Sequence, residues 1–342
     1  MAIYIFTYAL YFAILGVGLR RKNIRRWVVA ATLPMFALVW LRGNVGVDLP
    51  MYVQSIEVIQ QSGGYTFLFE PGFEFLILAL SHVSSDPMIV AKLIATITTL
   101  LLLGTKWRTR TAYQAIGLGI IPYFYLDMTM NGLRYGLAFS IILVSLNNMM
   151  SMQRFRYASS ALLAASMQVS SFYLIGILQI LHKPNWKHLL LMFAVIIGVA
   201  LMGSEYFLFK ASVNAELSKP GITAGIAPLF LSVLMLTGCW NSNKILHAHR
   251  TKLQILFVLS FATYGVTQIT YAGLRFQQLN YFLILLFVIY ASEKAGIKYS
   301  KLIFTALILL SVFGSVLRLS NFQSEAGNGD APFAPYKFYW SK

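Results

Sequence analysis

The sequence predicts an all-α, polytopic integral membrane protein, and three observations lead there. Apolar residues make up 58% of the 342 and charged residues only 11%, whereas a soluble domain carries about 25% charged residues. The apolar residues fall in runs at 3–19, 27–41, 73–105, 113–126, 133–150, 157–181, 188–203, 222–240, 253–270, 276–292 and 301–317, and most approach the ~20 residues that a spanning helix needs. The alternating pattern of a membrane barrel is missing, and lipid-facing backbone otherwise satisfies its hydrogen bonds only in helices. No connection is long enough to hold another domain, so residues 1–342 read as a single transmembrane domain.

The runs are ordered by the charges between them. The first is a membrane helix and not a cleaved leader, because it has no basic residue before it and Arg20-Arg21-Lys22 after it, the reverse of a leader's order. Loops at 20–26, 106–110, 154–156, 182–188, 244–252 and 294–301 hold most of the 27 Lys and Arg residues and almost no acid, which marks them as cytoplasmic. The loops at 42–72, 127–134, 204–221 and 271–275 and a tail at 318–342 carry most of the acids and face outward. Both termini then lie outside and the number of crossings is even. Parity requires an odd count in 73–105, which Ser84-Ser85-Asp86-Pro87 interrupts. The expectation is a short outer-leaflet or re-entrant helix at 73–84 after the first outer loop, then a full span at 88–105. Residues 157–181 need an even count, with Gln168-Val169-Ser170-Ser171 as the polar tip between two short helices. The total is about twelve transmembrane helices, within about ten to fourteen.

The net charge of +16 raises the question of nucleic acid, but the basic residues sit between spans and not along one aromatic-rich face. One cysteine, Cys239, excludes an intramolecular disulfide framework. The five histidines have no Cys or acidic company at ligand spacing, so no metal site is expected. Without a phosphate-binding lysine motif, a nucleophile elbow or a dinucleotide fingerprint, the chain binds no nucleotide cofactor.

Charge at a membrane border needs a reason. Under the loop assignment Arg42, Asp48, Glu70, Asp127, Arg134 and Arg275 gather at the outer surface. Arg42 ends the second run, where an arginine also snorkels to the interface without further role. Asp48 precedes Pro50 and suits a helix cap, and Glu70 precedes Pro71 in the same way; the Glu70 carboxylate also suits a general base for a sugar hydroxyl. Arg134, in Asn131-Gly132-Leu133-Arg134-Tyr135-Gly136, and Arg275, two turns before Tyr281, offer planar forks that grip phosphate oxygens. Gly132 and Gly136 permit close helix contact. Lys92 lies inside the span at 88–105, where an ion pair with a carboxylate such as Glu74 or Asp86 and a contact to substrate are equally open. The aromatic tail around Pro335-Tyr336 either lies on the interface or folds over the outer site.

The ordered series Arg42…Gly46-x-Asp48…Tyr52, Glu70-Pro71-Gly72-Phe73, Asn131-Gly132-Leu133-Arg134…Ala138, Arg275…Tyr281-Phe282 and Pro335-Tyr336 resembles the EpsG family of bacterial polysaccharide polymerases, akin to the Wzy O-antigen and capsule polymerases. The resemblance implies a GT-C-like helical bundle in the bacterial inner membrane with its site facing the periplasm. It implies a glycosyltransferase that moves a glycan from undecaprenyl diphosphate to a sugar hydroxyl of another lipid-linked repeat unit. Its partners would be these lipid-linked oligosaccharides, donor and acceptor, membrane lipid and a chain-length regulator protein. Arg134 and Arg275 would hold the diphosphate with support from Arg42, Asp48 or Glu70 would orient or deprotonate the acceptor, and Tyr52, Gln168 and Tyr281 would bind substrate. In one place the chain departs from the family: Met167-Gln168-Val169-Ser170-Ser171 stands where family members often carry a His, which moves the base role onto the carboxylates. An O-antigen ligase using the same donor and a lipid-linked oligosaccharide flippase are the alternatives. The flippase fits less well, since the charges favour one side and no repeated halves are visible.

Overall fold

The computed structural model of the protein describes residues 1–182, 224–270, 272–295, 301–324 and 331–340. It divides into two compact units, one of Met1–Ser171 with Leu307–Lys342 and one of Phe172–Ala306. Among the described residues five helices are long and apolar enough to cross a membrane, Ile24–Leu41, Pro87–Gly104, Leu133–Met150, Gly273–Lys294 and Lys301–Ser324, and four shorter apolar helices accompany them. The multi-pass helical class is thus as expected. The run expected at 188–203 and the loop at 204–221 lie outside the described residues.

The first unit begins with α1 (Ala2–Gly18) and α2 (Ile24–Leu41), which pack side by side. Three threonine hydroxyls in the apolar helices are satisfied within their own turns: Thr32 donates to the Val28 carbonyl at 2.7 Å, Thr98 to Ile94 at 3.0 Å and Thr99 to Ala95 at 2.8 Å. That is how a polar side chain is kept at low cost where water is scarce.

Residues 42–72, expected as an outer loop, contain a helix, α3 (Leu49–Ser62). Pro50 sits in its first turn, where the missing N–H costs nothing, and Leu49, Tyr52, Ile56 and Ile59 form its buried face. Those spacings put one stripe of apolar side chains inward and leave Glu57 and Gln61 outside, so α3 packs against the unit instead of spanning. Helix α4 (Pro71–Ser81) has 11 residues, about 17 Å of helix against ~30 Å of hydrocarbon. It is the short helix expected after the first outer loop. Pro87 then opens the full-length α5 (Pro87–Gly104), whose first turn is capped by the Asp86 carboxylate accepting from the Met88 N–H at 2.8 Å.

Residues 110–130 form one rod of α6 (Arg110–Ala115), a π-helical turn (Ile116–Ile120) and α7 (Ile121–Met130). Pro122 removes one ladder donor near that turn, and hydroxyls from α1 serve one carbonyl within it and one just after it. Tyr11 donates to Gly117 and Tyr8 to Pro122, the latter at 2.9 Å. Helix α8 (Leu133–Met150) packs on α5, α7 and α9 (Arg154–Met167). A Cβ on Gly136 would lie 2.2 Å from the Met128 carbonyl oxygen, which explains the small residue expected to bring helices close. The chain breaks at 168–170 before α10 (Ser171–His182), as its polar tip predicted.

In the second unit α11 (Ile226–Trp240), α12 (Asn243–Thr267) and α13 (Ala272–Ala295) pack on one another, and Cys239 is buried as a free thiol. Helix α14 runs from Lys301 to Ser324. This corrects the expected tail at 318–342: the helix continues past 318 because Arg318 and Phe322 are buried on the face already formed by Leu307, Leu310 and Ser311.

Glu74 holds the bend before α4 together. Its carboxylate accepts from the backbone N–H groups of Thr66 at 2.8 Å, Phe67 at 3.3 Å and Phe69 at 2.9 Å, and from the Thr66 hydroxyl at 3.1 Å. Glu74→Ala would strand these donors and is expected to cost about 2–4 kcal/mol, read as a lowered unfolding temperature of the detergent-solubilised protein. Glu57→Ala, on the exposed face of α3, is the control that should leave it unchanged.

Candidate functional site

The centre of the candidate site is an ion pair at the start of α8. Arg134 Nη1 lies 2.8 Å from Glu70 Oε2, with the side chains 16% and 6% exposed. Both are positioned by helix ends: Arg134 is the second residue of α8, whose N-cap Gly132 offers no side-chain cap, and Glu70 is the N-cap residue of α4. Glu70 makes no capping hydrogen bond, so the cap role open from sequence is not what its carboxylate does. Its other oxygen accepts from the Val169 N–H at 3.3 Å. The turn at 168–170 is thereby tied to the pair, and half-buried Gln168, the residue that ends α9, lies next in sequence to that contact.

Aromatic residues close the rest. The Arg134 guanidinium carbon lies 4.7 Å from the centre of the Phe69 ring, and Phe69 stacks on Tyr52 at 5.7 Å. Tyr52 is buried with its hydroxyl beside the guanidinium; burial pushes that hydroxyl above its ordinary range while Arg134 pulls the other way. One donor of Arg134, Nε, is buried without an acceptor among the described residues. A charged fork at an uncapped helix N-terminus favours an anion, since the helix end adds its own partial positive charge.

Asp48 stands one turn before Tyr52 at the start of α3, exposed, and likewise makes no capping bond to that helix. Its backbone N–H donates to Asn131 Oδ1 at 2.8 Å, which ties residues 42–48 to the start of α8. Gly46 makes that approach possible. Its φ is +121°, and a Cβ there would meet the Met130 carbonyl oxygen at 2.5 Å, so a side chain would be excluded twice over.

Arg42 is placed elsewhere in the same unit. It ends α2 in an extended conformation and pairs with Phe338 in an antiparallel bridge. The Gly43 N–H donates to the Lys337 carbonyl at 2.9 Å, Tyr339 to Leu41 at 2.8 Å and Gly46 to Ala331 at 2.9 Å. The late segment 331–340 therefore folds back over residues 42–46. Arg42 is 0% exposed, which excludes the snorkelling role. Burial pulls its pKa down to about 10, still charged at neutral pH.

Lys92 does not form either expected ion pair. Its ammonium lies 3.8 Å over the ring of Tyr339, because Glu74 is spent on the 66–69 bend and Asp86 accepts from Met88 and from the Tyr339 hydroxyl at 2.7 Å. In the second unit Arg275 is exposed in the first turn of α13, and Tyr281 is fully buried two turns on.

A second buried ion pair was not legible. Arg318 Nη2 lies 3.2 Å from Asp127 Oδ2, which also accepts from the Tyr135 hydroxyl, and Arg318 Nε donates to the Tyr123 carbonyl at 3.2 Å. The available signal was the continued helical period of Leu317-Arg318-Leu319-Ser320-Asn321-Phe322, which places Arg318 one turn from Phe322 on a buried face.

Fold and site together define a multi-pass helical membrane protein that buries an arginine–carboxylate centre among helix ends. The model of the EpsG family matches residues 25–338, a range that takes in every residue of that centre. The chain belongs to the EpsG family, a Wzy-like polymerase-type family. No curated protein and no solved structure matches it.

Both charges of the Asp127–Arg318 pair are buried, so removing one strands the other. Arg318→Met is expected to lower stability by about 3–5 kcal/mol. Adding Asp127→Asn to it should restore part of that loss, as measured by thermal unfolding in detergent.

Proposed function

We propose that the protein is a polysaccharide polymerase that transfers a glycan from an undecaprenyl-diphosphate carrier to a sugar hydroxyl of another lipid-linked repeat unit, at the outer face of the inner membrane. Family membership supports the polymerase class. The observation that carries the chemical reading is Arg134: a guanidinium at an uncapped helix start, oriented by Glu70 and Tyr52 and keeping Nε unused among the described residues. A leaving diphosphate gains negative charge as the glycosidic bond breaks, and a preorganised cation at that point stabilises the transition state more than the ground state.

Roles follow from the contacts. Arg134 holds the departing diphosphate, and Glu70 is its positioning residue, since both Glu70 oxygens are engaged; Arg275, in the second unit, is assigned to the diphosphate by the family resemblance and not by a contact. That leaves Asp48, exposed near Asn131 and Tyr52, to orient or deprotonate the acceptor hydroxyl. Tyr52, Gln168 and Tyr281 serve substrate binding, the first two around Arg134. The donor's own diphosphate is the leaving group, so the reaction draws on no nucleotide.

The test supplies the purified protein in lipid with a synthetic undecaprenyl-diphosphate repeat unit and looks for a ladder of oligomers. Arg134→Ala and Arg275→Ala should each lower its rate by about 10²-fold or more, and a ladder that persists in both would overturn the assignment. Asp48→Asn should lower kcat with little effect on KM, whereas Glu70→Gln should raise KM as well, because it loosens the arginine that grips the donor. A product attached to a lipid A core acceptor instead of a ladder would identify a ligase.

A further inference from the structure

We propose that Arg42 and Lys92 form a second anion site, distinct from the Arg134 centre, which takes the phosphate or diphosphate group of a lipid and is roofed by residues 331–340. The starting observation is the Arg42 guanidinium. It is fully buried, and Nε, Nη1 and Nη2 all lack an acceptor among the described residues. A buried cation left in this condition costs several kcal/mol in general. Lys92, 3% exposed, adds to the cost, since the two cations repel each other.

Among the described residues no carboxylate forms an ion pair with either cation, and Asp86 acts on Lys92 only without direct contact. Glu70 is held by Arg134, Glu74 by the 66–69 bend, Asp127 by Arg318, and Asp86 by Met88 and Tyr339. The surrounding hydroxyls are turned to other acceptors: Tyr336 donates to Leu38 at 2.7 Å and Tyr4 to Phe333 at 2.9 Å. The cluster has donors to spare and a deficit of acceptors. A phosphate group matches that deficit, with several oxygens for a planar fork and for a point charge beside it.

The roof is fastened by backbone hydrogen bonds from Gly43 and Tyr339, which flank the Arg42–Phe338 bridge, and by the Tyr339 hydroxyl on Asp86. Among the described residues no hydrogen bond or ion pair joins it to the charged group of either cation, and the Tyr339 ring over Lys92 is the contact that lifting it exchanges for an anion. Aromatic rings of Phe338, Tyr339 and Trp340 line the lifting edge. The assignment of this anion to a substrate rests on the polymerase reading. A reaction between two diphosphate-linked lipids holds two such groups at once, and their mutual repulsion requires a cation set for each. Arg134 serves one, and Arg42 with Lys92 serves the other.

The experiment measures binding of radiolabelled farnesyl diphosphate to the full-length protein in phosphatidylcholine nanodiscs, with inorganic diphosphate and phosphatidylglycerol as competitors. Two sites are expected in the wild type. Arg42→Gln with Lys92→Met should remove one of them, weakening it by about tenfold or more, while Arg134→Gln removes the other. Arg42→Gln alone should keep the unliganded unfolding temperature at or above that of the wild type, because it relieves an unpaired charge. An unchanged pair of sites in the double variant, or a lower unfolding temperature in Arg42→Gln, would overturn the proposal. Hydrogen exchange on the wild type gives an independent reading: farnesyl diphosphate should alter exchange in peptides covering 41–46 and 331–340, and no change in either would refute it. Phosphatidylglycerol that displaces the probe at an equal fraction of the bilayer would reassign the site to a membrane headgroup and overturn the substrate role. Loss of the ladder reaction with retention of both sites would count against the polymerase reading alone.

Discussion

Carboxylates are scarce in this chain, and the first unit is arranged around how the buried ones are allotted. Of these allotments the Glu70–Arg134 pair carries most, because it joins three stretches far apart in sequence: the end of the bend before α4, the first turn of α8 and the turn after α9. Inside an apolar bundle an ion pair of this kind contributes little net stability, and its worth lies in fixing which helix ends meet. Asp127–Arg318 does the same for α7 and α14, and Glu74 for the bend itself. Once these acids are committed, Arg42 and Lys92 are left without an ion-pair partner among the described residues, which makes that corner of the unit electropositive.

The features legible in the sequence were those written locally. Apolar runs of spanning length, the break at Ser84-Ser85-Asp86-Pro87 and the polar tip at 168–171 each report on their own residues, and each appears as a helix or a helix boundary. Helix α3 was obscured because its apolar stripe is interleaved with Gln, Glu and Ser, a pattern that reads as a polar loop unless its helical period is followed. The end of α14 was obscured by Arg318, which reads as a boundary charge until Asp127 is known to face it.

The candidate site was legible as a set of residues and not as a set of pairings. Arg134 and Glu70 were expected near each other on topological grounds, but nothing in either segment indicates that the carboxylate is bound by the arginine. Asp48 and Glu70 looked alike as carboxylates before prolines, and neither caps its helix; the difference between them is made by Arg134. Pairing by proximity suggests Glu74 or Asp86 for Lys92 and does not hold, because both carboxylates are engaged by backbone donors and a tyrosine hydroxyl. Pairing is a property of the whole unit, and it cannot be read segment by segment.

The fold-back of residues 331–340 has a consequence for biogenesis. The hydrogen bond from Tyr4 to Phe333 joins groups separated by 329 positions, and that from Tyr336 to Leu38 by 298. At a translation rate of about 5–20 residues per second, the first helices wait roughly a quarter of a minute to a minute for the strand that completes them. During that interval Arg42 is solvated at the end of α2 and acquires its buried surroundings only after the last segment has emerged and docked. Maturation of the Arg42–Lys92 region is therefore a late, post-insertion event, and a nascent chain arrested before residue 331 would hold its helices in the membrane with this corner still open to water.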